Sequence, residues 1–315
     1  MTLRIVAGTA NRPLAAAVAA ALDQEPSVPA VERFPDGESR PVVTGVRGAD
    51  VYLVQPTGPP VDEHVMEALL LADACRRGGA ARLTAVVSYV GYARQDRRRR
   101  EGEAIGLRVV VAALASAGVE RLIAVDPHTA ALEAVCPMPV ETLTAVPALA
   151  RAAGRGLPEE AVVVAPDLGA VKLARHYARL LARPVALVRK TRLTGADVRA
   201  EQVFGDVTGR PALVVDDMIS TGATIEAAVE ALLAQGAAPP FAVAATHGVF
   251  AGDAWERLRR AEIRSLIRGL VVTDTLPQDE AALPSLEVCP VAPLLAEAIG
   301  RLHRDEDMDD LLSGA

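Results

Sequence analysis

The chain has 315 residues, 51% apolar but only 3% aromatic, a net charge of −7 and a pI near 5.4. That length predicts two domains of ordinary size, with cores of Ala, Val and Leu. The acidic balance excludes a general nucleic-acid binder, which needs a basic face. No run reaches the ~18 apolar residues of a membrane span, and MTLRIVAGT is too short an apolar run for a signal peptide. Cys75, Cys136 and Cys289 have no metal or redox spacing, so a reduced, cytoplasmic setting is expected.

Leu3–Ala7 reads as a strand, Gly8–Asn11 as a turn and Pro13–Leu22 as a helix with proline in its first turn. Arg33-Phe34-Pro35-Asp36-Gly37-Glu38 follows. By its residues it is a plain turn around Asp36-Gly37 that exposes one aromatic and two acids. Asp50–Val54 is a strand, Val61–Arg77 has a helical apolar stripe ended by Gly78-Gly79, and Leu83–Val87 is the next strand. The helix–Gly–strand unit recurs at Val109–Ala117, Gly118 and Leu122–Val125. It returns at Thr224–Gln235, Gly236 and Phe241–Ala244. Such alternation predicts an α/β fold of mainly parallel sheets flanked by helices. Its recurrence predicts two similar domains, 1–147 and 148–315, divided in an irregular stretch marked by Pro137, Pro139 and Pro147.

In the second half, strand Ala161–Val164 leads to Pro166-Asp167, helix Val171–Leu181 and strand Val185–Val188. The polar segment Arg189 to Gly209 then carries Arg189-Lys190-Thr191-Arg192. It reads as a solvated linker or as a mobile flap whose cations close over phosphate groups. Strand Ala212–Val215 is followed by Asp216 and Asp217, a loop of Ser220, Thr221, Gly222, Ala223 and Thr224, and a helix stopped by Gly236. Thr246-His247-Gly248 follows a strand, and Leu270–Thr273 begins the last one. Ala292–Leu302 is a terminal helix, followed by an acidic tail from Asp305 to Asp310.

Candidate chemistry gathers at strand ends, where open α/β sheets bind ligands. Strand, small-residue loop and helix after Ala212 form an anion cradle, because the first helical turn offers free N–H groups and a favourable dipole. A helix cap accounts for Thr224 but leaves two adjacent acids unexplained. Carboxylates beside a phosphate cradle suit a phosphorylated sugar. Past Leu83–Val87, Tyr92, Arg94 and Gln95 are placed for a ligand, while some of Arg97–Arg100 read as solvated surface. Asp126-Pro127-His128-Thr129 follows Leu122–Val125; the acid and the histidine hold a cation or a polyphosphate-bound Mg2+, or the histidine is structural. No Walker loop is present.

Taken together, these residues resemble a known family. Asp216-Asp217-Met218-Ile219-Ser220-Thr221-Gly222-Ala223-Thr224 is similar to the phosphoribosyl-diphosphate binding motif of type I phosphoribosyltransferases. In order, Phe34-Pro35-Asp36-Gly37-Glu38, Tyr92–Asp96, Asp126-Pro127-His128, Pro166-Asp167 and Lys190-Thr191-Arg192 narrow the resemblance to the ribose-phosphate diphosphokinases. It runs from Ala7–Asn11 to Val291–Ile299, nearly the whole chain, and the combination is far more specific than the loop alone. Gly102–Ile105 is similar to the archaeal-type branch. The cradle differs from the Asp-Thr-Ala-Gly-Thr of many bacterial members, Pro127 replaces a usual Leu, and Arg189 stands where an acid is common.

The resemblance implies two tandem phosphoribosyltransferase-like domains, ATP and metal on the first and ribose 5-phosphate on the second. Residues 292–315 would pack back on the first. It implies transfer of the diphosphoryl group of MgATP to the 1-hydroxyl of ribose 5-phosphate, releasing AMP. Ser220, Thr221, Gly222, Ala223 and Thr224 would cradle the 5-phosphate, and Asp216 and Asp217 would face the ribose. Arg94 and Gln95 would contact ATP. Phe34, Asp36, Gly37 and Glu38 would reach the adenine in a neighbouring subunit of a homo-oligomer, a dimer or higher and a hexamer by resemblance. His128, with Asp126 beside it, would ligate the Mg2+ on the triphosphate, and Asp167 would serve a second Mg2+. Lys190 and Arg192 would be catalytic, stabilising charge on the transferred group. No general base, nucleic acid or membrane is implied. Two other functions fit parts of the pattern. A phosphoribosyltransferase explains the 216–224 loop but not Arg94-Gln95, His128 and the Lys190 cluster. A non-catalytic partner subunit should have lost the flap lysine or the histidine, and both are present.

Overall fold

The computed structural model describes residues 1–192 and 198–312, with the backbone alone at 190–192 and 198–201. Its contacts divide into two units, one of residues 1–144, 275–277 and 290–315, the other of 145–274 and 278–289. Among the described residues no helix is long and apolar enough to cross a membrane.

The first unit contains β1 (Leu3–Ala7), α1 (Arg12–Ala21), β2 (Ala30–Arg33), β3 (Ser39–Val42), β4 (Asp50–Val54) and α2 (Val61–Arg77). It continues with β5 (Arg82–Val87), α3 (Gly106–Ser116), β6 (Arg121–Val125), α4 (Ala131–Val135) and β7 (Val140–Leu143). Its sheet has the order β1-β4-β5-β6-β7 with every pair parallel. These strands are nearly continuous runs of Val, Ile, Leu and Ala because helices cover parallel sheets on both faces. Val51, Leu53, Leu71, Leu83, Val87, Leu107, Val111 and Leu122 belong to one core.

The second unit contains α5 (Val146–Gly154), β8 (Val162–Ala165), α6 (Val171–Leu181), β9 (Val185–Arg192), β10 (Val198–Phe204) and β11 (Ala212–Ile219). It continues with α7 (Ala223–Ala234), β12 (Phe241–Gly248), α8 (Ala254–Arg259), α9 (Ala261–Arg264), β13 (Ile267–Thr273) and β14 (Leu286–Cys289). The strand order is β10-β9-β8-β11-β12-β13-β14, with β10 antiparallel and the rest parallel. After β8 the chain adds β9 on one side and then returns to lay β11 on the other. The strand order therefore reverses between β8 and β11, the point where open α/β sheets form a ligand crevice at their carboxyl ends.

The last helix, α10 (Ala292–His303), belongs to the first unit and packs on α1. Its end is held by Asp50, the first residue of β4, which is 1% exposed. That carboxylate accepts from His303 Nδ1 at 2.7 Å and from the Arg82 guanidinium. A buried charge is tolerable only with such partners.

The alternation of strands and helices is as the sequence predicts, but several segments differ. β14 (Leu286–Cys289) follows the strand that the sequence takes as the last, and β12 runs on through Thr246-His247-Gly248. Residues 131–154 hold α4, β7 and α5 instead of an irregular stretch; Pro147 lies in the first turn of α5, and the Pro139 carbonyl accepts from Leu122 N at 3.0 Å. β11 does not end at Val215. Pairing with β12 carries it through both acids to Ile219, because ladder bonds are made by the backbone whatever the side chain. The segment after Val188 forms two hairpin arms, Lys190 opposite Ala200 and Arg192 opposite Val198. Finally, β2 and β3 flank the Asp36-Gly37 turn as an antiparallel ribbon whose residues are too polar to show strand periodicity.

Candidate active site

The cradle begins where β11 stops. Gly222 caps α7 with φ of +77°, and Glu226 N donates to Gly222 O at 3.0 Å, closing the first turn. No side chain caps this helix, and Thr224 lies inside its first turn, so the helix-cap reading of Thr224 is corrected. Ser220, Thr221, Gly222 and Ala223 thus lead directly into the positive end of a helix of 12 residues. The shift of glycine to the third loop position puts Gly222 at the one place here that needs a left-handed backbone.

Asp216 and Asp217 sit on the last turn of pleat before this loop. Asp216 Oδ1 accepts from Asp217 N at 2.9 Å, and Asp217 Oδ1 accepts from Met218 N at 3.0 Å. Asp167 follows β8, the strand beside β11, and its Oδ1 accepts from Gly169 N at 2.9 Å and Ala170 N at 3.3 Å ahead of α6. Burial pushes the Asp216 carboxyl well above the usual carboxylate range; the negative charges of Asp217 and Asp167 push it the same way. The strand reversal therefore brings Asp167, distant in sequence, to the adjacent Asp216 and Asp217 ahead of one anion cradle.

In the first unit, the residues past β5 and β6 form a second group. Arg94 and Gln95 are exposed on a turn whose Tyr92 has φ of +61°. Gln95 N donates to Tyr92 O at 2.8 Å, and the Gln95 amide lies against Gly106 at the start of α3. Asp126 follows β6 with φ of +37°, its N–H held by Leu143 O at 2.9 Å; His128 is exposed two residues on. Thr129 Oγ1 donates to Asp96 Oδ2 at 2.8 Å, joining this loop to the Arg94-Gln95 turn.

The Phe34 loop stands apart as the tip of the β2–β3 ribbon. Phe34 N donates to Glu38 O at 2.8 Å, Gly37 N to Phe34 O at 3.0 Å, and Glu38 N to Asp36 Oδ1 at 3.1 Å, with Gly37 at φ of +95°. Phe34 is half-buried, not fully exposed, and the Arg40 guanidinium lies 5.3 Å from its ring centre. Asp36, Gly37 and Glu38 are exposed. The backbone of Lys190 and Arg192 lies in β9; their side chains, and the tip of the expected flap, lie outside the described residues.

Sequence reasoning missed the Asp96–Thr129 bond and the pairing of Glu226 with Arg257, whose partners are 33 and 31 positions apart. No local periodicity links such pairs.

Among the described residues, no three His, Cys, Asp or Glu side chains close into a metal cage. Mg2+ does not require one. It is held by one or two carboxylates, waters and substrate phosphates. Asp167, Asp216 and Asp217, the outer two of which push the Asp216 carboxyl up in proton affinity along with its burial, have the donor chemistry for a cation or for sugar hydroxyls.

Two parallel-sheet α/β units, with an acidic strand end leading into an anion cradle, define a tandem phosphoribosyltransferase-like protein. Residues 3–118 match the model of the N-terminal domain of ribose phosphate pyrophosphokinase, and 198–313 match the phosphoribosyl synthetase-associated domain. A ribose-phosphate pyrophosphokinase of Rhodopirellula baltica is 40% identical, over 98% of each chain. One from Gloeobacter violaceus is 39% identical over 98% of this chain and 92% of its own. The crystal structure of phosphoribosylpyrophosphate synthetase from Mycobacterium smegmatis superposes with a TM-score of 0.88 at 36% identity, covering 97% of this chain and 100% of that one. The chain belongs to the ribose-phosphate pyrophosphokinase family of enzymes.

Proposed function

We propose that the chain transfers the diphosphoryl group of ATP to the 1-hydroxyl of ribose 5-phosphate, giving 5-phosphoribosyl 1-diphosphate and AMP. The observation that carries this reading is the meeting of Asp167, Asp216 and Asp217 beside the Ser220–Thr224 cradle at the reversal of strand order. Full-length similarity to ribose-phosphate pyrophosphokinases supports it.

The backbone N–H groups of Ser220–Thr224 bind the 5-phosphate, and Asp216 and Asp217 accept from the ribose hydroxyls. Those bonds fix the sugar so that its 1-hydroxyl presents one face to the donor. Arg94 and Gln95 hold ATP. The Phe34, Asp36, Gly37 and Glu38 ribbon tip reaches the adenine of a neighbouring subunit in a homo-oligomer, dimer or higher. Lys190 and Arg192 offset charge on the transferred group, the main demand of such transfers. Mg2+, held by His128 and Asp126 on the ATP side and by Asp167 on the sugar side, would supply charge neutralisation at the phosphate oxygens. No side chain is assigned as a general base. A cytoplasmic setting, with no nucleic acid or membrane partner, belongs to the same reading.

The test is AMP release from ATP by the full chain. Release that requires both Mg2+ and ribose 5-phosphate is expected. Absence of AMP from a folded protein at saturating substrates would sink the proposal, and consumption of phosphoribosyl diphosphate with a nucleobase would replace it with a phosphoribosyltransferase.

A further inference from the structure

Glu226 stands in the first turn of α7, immediately behind the cradle. Its carboxylate meets two guanidinium groups, that of Arg257 on one oxygen and Arg260 Nη1, at 3.0 Å, on the other. The Glu226 and Arg257 side chains are largely covered, at 13% and 21% exposure, whereas Arg260 is 50% exposed. Asp253 accepts from the other Arg257 amino group at 3.0 Å.

The segment carrying these arginines is tied to the cradle by its backbone. Val249 N and Phe250 N both donate to Ile219 O at 3.0 Å, and Ala251 N donates to Ser220 O at 3.0 Å. Phe250 stacks on Trp255 with ring centres 4.0 Å apart. Arg257 Cδ lies 3.5 Å from the point where a Cβ on Gly222 would project. The stem of Arg257 therefore runs alongside the loop while its head engages the acid behind it.

An acid in the first turn of a helix is favourable by itself, because it complements the positive end. Here it competes with a phosphate for the same field and repels it. We propose that Arg257 is a positioning residue for the cradle: paired with Glu226, it cancels that charge and leaves the α7 N-terminus electrostatically available to the anion. Its covered position makes the pair stronger than a solvated one. Arg260, half in water, cannot replace it. The inference rests on the reading of Ser220–Thr224 as the 5-phosphate site and adds a residue outside that loop to its function.

The experiment measures the Kd of ribose 5-phosphate by titration calorimetry on the full chain with Mg2+, beside steady-state kinetics. Arg257→Gln is expected to weaken ribose 5-phosphate binding about tenfold and to raise its KM in parallel, with the KM for ATP and kcat within about twofold. Glu226→Gln/Arg257→Gln, which removes both charges, is expected to return the Kd to within about threefold of the parent, because the interaction between neighbours is read from the cycle. Unchanged affinity in the single variant, or a double variant as weak as the single, overturns the proposal. Should Arg257→Gln lose its fold, Glu226→Gln alone decides: retained or tightened affinity supports the role, and lost affinity overturns it. A parent chain that binds the sugar phosphate but releases no AMP defeats the reaction reading, while the Kd comparison still judges Arg257. A parent that binds no ribose 5-phosphate overturns both.

Discussion

Thr129 Oγ1 donates to Asp96 Oδ2 at 2.8 Å, so the loop that ends β6 is fastened to the turn that follows β5. The same Oγ1 accepts from Ala131 N at 3.1 Å, which places Thr129 at the start of α4. This bond helps to set the His128 loop relative to Arg94 and Gln95. Removing the bond in Thr129→Val is expected to cost about 1 kcal/mol and to raise the KM for ATP about fivefold. Thr129→Ser keeps the hydroxyl and should stay close to the parent. Initial-rate kinetics with varied ATP check both, and an unchanged KM in Thr129→Val removes the loop–loop link from the account.

Asp216 gives the apo protein a pH dependence of definite sign. Its carboxyl is pushed up by burial and by the charges of Asp217 and Asp167. The folded state therefore binds a proton more tightly than the unfolded chain, and stability falls as pH rises from the ordinary carboxylate range through the raised value. Below that window the strain is absent; above it the strain is complete. Asp216→Asn should then raise the apo Tm at neutral pH by about 2–4 °C for each ~1 kcal/mol relieved, with a smaller gain at acidic pH. The same variant should lose ribose 5-phosphate affinity. Thermal scans across pH test this, and a gain that is equal at all pH values contradicts the charge argument.

Gly222 is required by its backbone rather than by space. A Cβ there would meet Arg257 Cδ at 3.5 Å and Leu258 Cγ at 3.6 Å, ordinary contact distances, but φ is +77°. Gly222→Ala is expected to cost about 1–2 kcal/mol, the left-handed penalty of an L residue. The loss should show as weaker ribose 5-phosphate binding and a lower Tm. Gly209→Ala, also at positive φ but with open space around it, should lower Tm and leave binding alone. Calorimetry and thermal unfolding on the two variants separate loop geometry from general strain.

Lys190→Ala is expected to reduce turnover about a hundredfold, roughly 3 kcal/mol of barrier, by analogy with removal of one preorganised oxyanion donor. Binding of ribose 5-phosphate should survive, since the cradle that holds it is built on β11 and α7. Single-turnover AMP formation beside calorimetric binding measures the two effects apart. Turnover equal to that of the parent would remove Lys190 from the transfer step.

By itself the sequence determined the local grammar of this protein. Apolar runs such as Ala212–Val215 mark strands because parallel strands are buried on both faces, and small residues after them mark loops that enter helices. It also supplied the residue types of the cradle, the Asp126-Pro127-His128 strand end and the Arg94-Gln95 turn. It could not reveal strands interrupted by polar residues, since β2, β3 and the Asp216-Asp217 part of β11 are held by backbone pairing with no apolar signature. Only the tertiary structure decided which strand ends are neighbours. The return of the chain from β10 to place β11 against β8 brings Asp167 to Asp216 and makes their charges interact. The joins of Thr129 to Asp96 and of Arg257 to Glu226 arise in the same way. Strand order and loop docking are settled by burial summed over the whole unit, and no short window of residues contains that sum.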